Sequence, residues 1–109
     1  MKSGDIALLY FTFSDLSGGE LRPAVILAQV GRDDFIACQI TSNSQSDPNA
    51  VELKAASFVA GGLRSVSFVR PGKLFTGHRS LVAKRVATVT DAVRDEVKNA
   101  TIEIIRRGQ

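Results

Sequence analysis

Short apolar runs separated by turn residues fill most of the chain. Three of them, at residues 6–13, 24–30 and 35–40, are six to eight residues long and rich in Ile, Val, Leu and Phe. The polar stretches SDLSGG and GRDD end the first two runs. Runs of this length and composition predict β-strands that are buried on both faces or nearly so. Weaker patterns predict further strands at residues 50–54, 65–70, 71–76 and 80–89.

The period changes near the C-terminus, where apolar and small side chains recur every three or four residues. This spacing predicts an amphipathic helix, whose stripe consists of Val93, Val97, Ala100, Thr101 and Ile104. Thr90 or Asp91 can cap its start, and Gly108 can cap its end. Arg106 and Arg107 suit the negative end of the helix dipole. Many short strands and one such helix predict a mainly β fold, a small and strongly curved β-barrel with a C-terminal α-helix packed on it.

The totals fit one globular domain over residues 1–109. With 44% apolar and 23% charged residues, the chain can bury one compact core. No run approaches the ~20 apolar residues of a membrane span, and the N-terminus, where one lysine is soon followed by an aspartate, does not read as a secretory signal. One cysteine rules out an internal disulfide framework, which leads us to expect a cytoplasmic protein.

The net charge of +3 is unevenly distributed along the chain. Residues 1–50 contain three basic and six acidic residues, whereas residues 51–109 contain eleven basic and five acidic ones. The acid-free stretch 64–85 carries six basic residues, namely Arg64, Arg70, Lys73, Arg79, Lys84 and Arg85. Such a segment is typical of a phosphate-binding face, although a solvated basic surface explains the charge equally well.

Most standard catalytic motifs are missing from the sequence. It has no glycine-rich phosphate loop, no histidine pair spaced for a metal and no cysteine–histidine arrangement. His78, the one histidine of the sequence, could serve as a general base, but a histidine between basic residues in a polar stretch is more often simply solvated. Cys38 lies in a predicted central strand, where a small buried hydrophobe is expected rather than a nucleophile.

Arg22 and Thr41 form the more informative pair. Arg22 precedes the strand that begins PAVILA, and Thr41 closes the next strand, FIACQI. If the two strands form an antiparallel hairpin, both side chains lie at one edge of the sheet and can converge over a common groove. Arginine offers a planar fork of donors to a phosphate, and threonine offers a hydroxyl. The alternative is structural: Arg22 pairs with Glu20, and Thr41 satisfies a turn.

Four blocks of sequence, in order, resemble one known family. They are GDI at residues 4–6, the glycine-bearing loop that ends in LRPAVIL, QITS at residues 39–42 and SFVRPGKLFT at residues 67–76. Together they are similar to the MazF/PemK family, the mRNA-cleaving toxins of bacterial type II toxin–antitoxin pairs. The resemblance covers nearly the whole chain.

This resemblance implies an SH3-like barrel that forms a homodimer and cleaves single-stranded mRNA sequence-specifically, with no metal or other cofactor. It implies that Arg22 and Thr41 are catalytic and that a cognate antitoxin with an acidic disordered tail blocks the site. It also implies RNA contacts from the loop between the first two strands and from residues near the catalytic pair. These are Ser14, Asp15, Ser17, Gly18, Gly19, Pro23, Ser42, Arg70 and Lys73.

The chain departs from the family pattern in two places. The loop before the arginine reads SDLSGGE, which is shorter than the GSEQxG-like loop of many members and lacks its glutamine. Gly72 stands where many members have aspartate. The loop contacts and the cleavage sequence therefore stay open.

Two other functions compete with RNA cleavage. A CcdB-like toxin of the same fold binds gyrase through its C-terminal helix end, but IEIIRRGQ carries no aromatic anchor here. A barrel that binds single-stranded nucleic acid without cutting it normally exposes aromatic stacking platforms, whereas the six Phe and one Tyr of this chain lie mostly in apolar runs.

Overall fold

The structure, a computed structural model, describes residues 1–12, 18–45 and 47–108. Within these ranges the chain forms an antiparallel β-structure followed by one α-helix. Its elements are β1 (Asp5–Thr12), β2 (Gly19–Val30), β3 (Asp34–Thr41), β4 (Val51–Leu53), β5 (Phe58–Gly61), β6 (Ser67–His78), β7 (Val82–Val89) and α1 (Asp91–Arg107), with single 3-10 turns at Ala55–Ser57 and Arg79–Leu81. The predicted mainly β fold with a C-terminal helix is confirmed.

The strands form one sheet in the order β4-β6-β3-β2-β1-β7-β5, and all of its pairings are antiparallel. Its two edge strands, β4 and β5, are consecutive in the chain and separated only by residues 54–57. The sheet must therefore curl until its edges lie near each other, which produces a nearly closed barrel. Closure of this kind protects edge strands from pairing with other chains.

The central strands β1, β2 and β3 are buried on both faces, as their continuous apolar runs predict. Successive side chains of a strand point to opposite faces. On one face Ile6, Val25 and Cys38 pack with residues of β4, β6, β7 and α1. On the other face Ala24 and Ile26 join a second cluster with residues of β1 and β3. Both faces are packed with side chains of different sizes, so a one-residue slip of the hairpin would disrupt the packing of both clusters.

β2 begins earlier than the apolar run suggests, at Gly19 rather than Ala24. Arg22 and Pro23 therefore lie inside the strand, where Arg22 is opposite Leu9 of β1 and Pro23 is opposite Leu8. The pairing of β2 with β3 starts only at Ala24. Pro23 is tolerated because the strand lacks this second partner at its start.

The two runs predicted as separate strands at residues 65–70 and 71–76 form the single strand β6. Its register against β3 jumps between the pairs Cys38–Leu74 and Ile40–Val69, which marks a bulge in β6. Pro71 lies in this bulge, where its missing N–H leaves no gap in a regular ladder. Its carbonyl accepts a hydrogen bond from the buried Thr101 hydroxyl at 3.0 Å. This bond fixes α1 to the barrel.

Helix α1 has the ends that the sequence predicts. Thr90 is the N-cap, and its hydroxyl oxygen accepts from the Val93 N–H at 3.2 Å. Gly108 adopts the left-handed conformation with φ of 67° and donates its N–H to Ile104. Val97 and Thr101 are the residues of the helix buried against the barrel. Among the described residues, no helix combines the length and the apolar character needed to cross a membrane.

Gly61 ends β5 in a position that only glycine fits. Its φ is +66°, and a Cβ on it would lie 2.2 Å from the Val86 carbonyl oxygen. Gly31, in the turn between β2 and β3, has nearly the same φ of +62° with nothing within 4 Å of such a Cβ. Comparing Gly31 with Gly61 therefore separates the cost of a left-handed backbone from the cost of a clash between a Cβ and the neighbouring strand.

We expect Gly31→Ala to cost about 1 kcal/mol of unfolding free energy, the strain of a left-handed alanine. Gly61→Ala carries the same strain and must also move β5 away from β7, so we expect a total cost at least about 1 kcal/mol larger. Urea denaturation of the two variants and the wild-type protein measures both values. Equal costs would show that β5 and β7 separate freely.

Candidate functional site

A groove of about 490 Å³ lies where β2 begins and β3 ends. Ala24 pairs with Gln39, and continuing this register by two residues places Arg22 opposite Thr41. Both side chains line the groove, so the structure brings the two predicted catalytic residues together. The hairpin brings the two residues to one edge, where pairing with Leu9 of β1 holds Arg22 and pairing with Phe68 of β6 holds Thr41.

The opposite side of the groove is formed by the segment that leads into β6. The complete lining consists of Arg22, Pro23, Gln39, Ile40, Thr41, Ser42, Leu63, Arg64, Ser65, Ser67 and Arg70. It holds three arginines, and no aspartate or glutamate is among these described residues. A concave surface with this charge attracts an anion and raises its local concentration.

Arg22 forms an ion pair with Glu20, as the structural alternative predicts. The carboxylate oxygen accepts from Nε and contacts Nη2, so it engages one edge of the guanidinium. The two side chains are 55% and 43% exposed, and an exposed pair of this kind contributes at most about 1 kcal/mol. Among the described residues, no acceptor bonds to Nη1. Arg22 can therefore take a phosphate while Glu20 holds it or in exchange for Glu20.

Thr41 also makes the turn contact that the structural alternative predicts. Its Oγ1 accepts a hydrogen bond from the Asn43 N–H at 3.1 Å. A hydroxyl that accepts one bond still has its own hydrogen to donate. The turn thus orients the Thr41 hydroxyl without using up its donor, and the structural and chemical roles are compatible.

The other two arginines differ in their partners. Arg70 Nε lies 3.7 Å from Asp47 Oδ2, and both side chains are largely buried. In the part of the chain that the structure describes, no carboxylate lies within ion-pair distance of Arg64. Arg64 is therefore the groove arginine most available to a ligand.

Of the other residues predicted to contact RNA, some line the groove and others lie outside it. Pro23 and Ser42 line the groove beside Arg22 and Thr41. Gly19 begins β2 directly beneath the Tyr10 ring, since a Cβ on it would be 2.8 Å from that ring, and Gly18 precedes it with φ of +146°. Lys73 lies in the bulge of β6, outside the groove lining. Ser14, Asp15 and Ser17 lie outside the described residues.

Sequence reasoning missed six of the residues that line the groove, namely Gln39, Ile40, Leu63, Arg64, Ser65 and Ser67. Leu63, Arg64 and Ser65 belong to the connection before β6, and Ser67 is the first residue of that strand. This part of the chain reaches the groove because β6 pairs with β3. The available signal was that Arg64 opens the acid-free basic stretch 64–85.

His78 is remote from the groove. It pairs with Asp34 at the start of β3, seven residues and thus about 23 Å along the strand from Thr41. Its Nδ1 accepts from the Ser80 N–H at 3.1 Å and so caps the following 3-10 turn. His78 therefore has a local structural role and cannot serve as the base at this groove.

Cys38 is fully buried in the barrel. Its Sγ lies 3.7 Å from both the Pro71 carbonyl oxygen and the Thr101 Oγ1. Burial raises the pKa of the Cys38 thiol, and the hydrogen bond with Thr101 offsets only part of this effect. The residue is a core side chain, as predicted.

Among the described residues, no group of three or more His, Cys, Asp or Glu side chains is arranged to hold a metal ion.

The order of the sequence blocks and the groove geometry agree with a match along the whole chain. Residues 2–105 match the family of PemK-like, MazF-like toxins of type II toxin–antitoxin systems. The chain belongs to this family. No curated protein matches it significantly.

Solved structures share the fold of this toxin. MazE–MazF (Form-II) from Deinococcus radiodurans has a TM-score of 0.77 at 24% identity, covering 96% of this chain and 95% of that one. The Mycobacterium tuberculosis toxin MazF-mt6 has a TM-score of 0.71 at 14% identity, with coverages of 94% and 96%. An endoribonuclease from a Mycobacterial species has a TM-score of 0.62 at 15% identity, with coverages of 96% and 90%.

The buried thiol of the toxin gives a direct test of the core. Because the raised pKa keeps Cys38 protonated and the barrel excludes reagents, we expect Ellman's reagent to label the native protein about 100-fold or more slowly than the protein unfolded in guanidinium chloride. Rapid labelling of the folded protein would contradict the packing of Thr101 and Pro71 over this residue.

Proposed function

We propose that this toxin is a metal-independent, sequence-specific endoribonuclease that cuts single-stranded mRNA in the groove between Arg22 and Thr41. The observation that carries the proposal is the placement of these two donors in the lining of one groove that holds three arginines. Membership of the toxin family supports it, as does the fold shared with a Mycobacterial endoribonuclease.

The proposed reaction uses the RNA itself as nucleophile. The ribose 2′-hydroxyl gives its proton to solvent and attacks the adjacent phosphorus in line, and the bond to the 5′-oxygen of the next nucleotide breaks. The products are a 2′,3′-cyclic phosphate and a 5′-hydroxyl, whose oxygen takes a proton from solvent. Because the 2′-hydroxyl is required, DNA of the same sequence binds without being cut.

Arg22 and Thr41 act on the charge that develops in this reaction. Negative charge grows on the non-bridging phosphate oxygens. The Arg22 guanidinium donates to them beside Glu20 or in exchange for it, and the Thr41 hydroxyl, oriented by the turn at Asn43, donates as well. A preorganised donor of this kind typically contributes about 3 kcal/mol, roughly a hundredfold in rate. Arg64 and Arg70 position the neighbouring phosphates.

The partner we propose is a cognate antitoxin with an acidic disordered tail. Such a tail would lie along the arginines of the groove and exclude the RNA by charge mimicry. The similarity in fold to a MazF chain crystallised with MazE supports this partner. We propose that the toxin acts as a homodimer in the cytoplasm, as the family resemblance implies.

The cleavage proposal is tested with a long single-stranded RNA in the presence of EDTA. We expect wild-type protein to cut it at a few short sequences with 5′-hydroxyl ends. Arg22→Ala and Thr41→Val each lower the rate about 100-fold, and Thr41→Ser retains most of it.

Arg32→Ala is the matched control, because Arg32 is exposed in the turn at the far end of the same hairpin. Its cleavage rate should equal that of the wild type. A wild-type protein that is folded and dimeric but cuts no RNA would reject the proposal. Trapping of gyrase on DNA, or binding of RNA without cleavage, would then favour the two alternative functions.

Glu20 provides a second test, because it competes with phosphate for Arg22. We expect Glu20→Gln to raise the affinity for RNA carrying a 2′-deoxy nucleotide at the cut site by up to about fivefold, the contribution of an exposed ion pair. Glu96→Gln, an exposed carboxylate on α1, should change nothing. Unchanged affinity with about a 100-fold lower turnover would contradict this role and assign proton transfer to Glu20.

A further inference from the structure

A second cavity of about 390 Å³ adjoins the groove. The two share Leu63, Arg64 and Ser65 as a common wall. The second cavity lies at the gap between the edge strands β4 and β5. Apart from the shared wall, it is lined by Leu53, Lys54, Ala55, Phe58, Gly61, Gly62 and Val66.

The lining combines an apolar surface with two cations. Phe58 and Leu63 are partly buried and pack against the barrel core, whereas the Val66 side chain is 59% exposed. An aromatic ring beside aliphatic side chains is a surface on which a nucleobase stacks. The cations, Lys54 and Arg64, stand beside this surface.

Both cations are available to a phosphate. Lys54 Nζ lies 3.5 Å from Glu52 Oε2, but both side chains are exposed, and such a pair is readily exchanged. Arg64 has no carboxylate partner within the described ranges and lines the groove and the second cavity at once. Arg64 therefore lies where a bound RNA strand would pass from the groove into the second cavity.

We propose that the second cavity is a subsite for one nucleotide next to the cut site. Its base stacks on the surface formed by Phe58, Leu63 and Val66, and Arg64 binds the phosphate that joins it to the nucleotide in the groove. Lys54 binds the phosphate on the outer side. This proposal rests on the proposed function of the groove, since it follows the path of a strand that is held there.

A nucleotide suits this cavity better than an acidic peptide. Carboxylates could satisfy Lys54 and Arg64, but the cavity also joins the groove through a continuous wall. A single strand that places a phosphate between Arg22 and Thr41 must leave the groove at an end, and the apolar surface beyond Arg64 can receive its next base.

The test measures affinity against RNA length, with 2′-deoxy nucleotides at the cut site so that binding is separated from cleavage. Wild-type protein should gain about tenfold in affinity when one nucleotide is added on one side of the cut site, but not on the other. Val66→Asp and Lys54→Ala, both outside the groove, should lose most of this gain while binding the shorter RNA normally. Arg64→Ala should lose it as well, and Arg32→Ala should keep it.

No gain on either side, or the same gain in every variant, would overturn the subsite. The subsite would also be overturned if Val66→Asp and Lys54→Ala kept the affinity gain for the longer RNA but were inhibited more weakly by the antitoxin. That result would assign the cavity to a segment of the antitoxin. The cleavage assay in EDTA is separate. If the affinity of wild-type protein rises with the added nucleotide but the protein does not cut RNA, the subsite stands and the proposed chemistry fails.

Discussion

Pairing between β2 and β3 determines where the groove is and what it contains. The two strands are buried on both faces over Ala24–Leu27 and around Cys38, so their register is determined by packing rather than by the turn alone. Beyond the last pair the strands continue as far as Arg22 and Thr41, which lie where the apolar packing ends. The same register that closes the core thereby places a guanidinium and a hydroxyl in the lining of one groove.

The charges of the groove are balanced from outside it. Glu20 and Asp47 pair with Arg22 and Arg70, yet neither carboxylate is part of the groove lining. The largely buried Asp47 thus holds Arg70 in place before any ligand arrives, which lowers the free energy needed to order it on binding. The exposed Glu20, by contrast, competes with a phosphate for Arg22. Arg64 differs, since it stands without such a partner among the described residues and is shared with the second cavity.

The sequence was informative where burial is strong. The apolar runs predicted β1, β2 and β3, and the helical period with Thr90 and Gly108 predicted α1 and its caps. β5 was missed because it is a four-residue edge strand with three exposed residues. β6 was divided in two because Pro71 normally ends a strand, whereas a bulge accommodates it here.

The same contrast holds for the site. The hairpin pattern was sufficient to predict that Arg22 and Thr41 line one groove. Both structural contacts that were weighed against a catalytic role are present as well. Arg64 and its neighbours were missed because they reach the groove only through the long-range pairing of β6 with β3. Periodicity reports on local structure and carries no information about such a contact.

The bond from Thr101 to the Pro71 carbonyl has a consequence for how the toxin can be altered. Pro71 directly follows Arg70, which lines the groove, so one peptide unit joins the anchor of the C-terminal helix to the site. A truncation that removes Thr101 would expose Cys38 and free the bulge at the same time. Fusion partners and affinity tags are therefore better placed after Gly108 than in exchange for the last turns of α1, because those turns hold the rear of the groove in position.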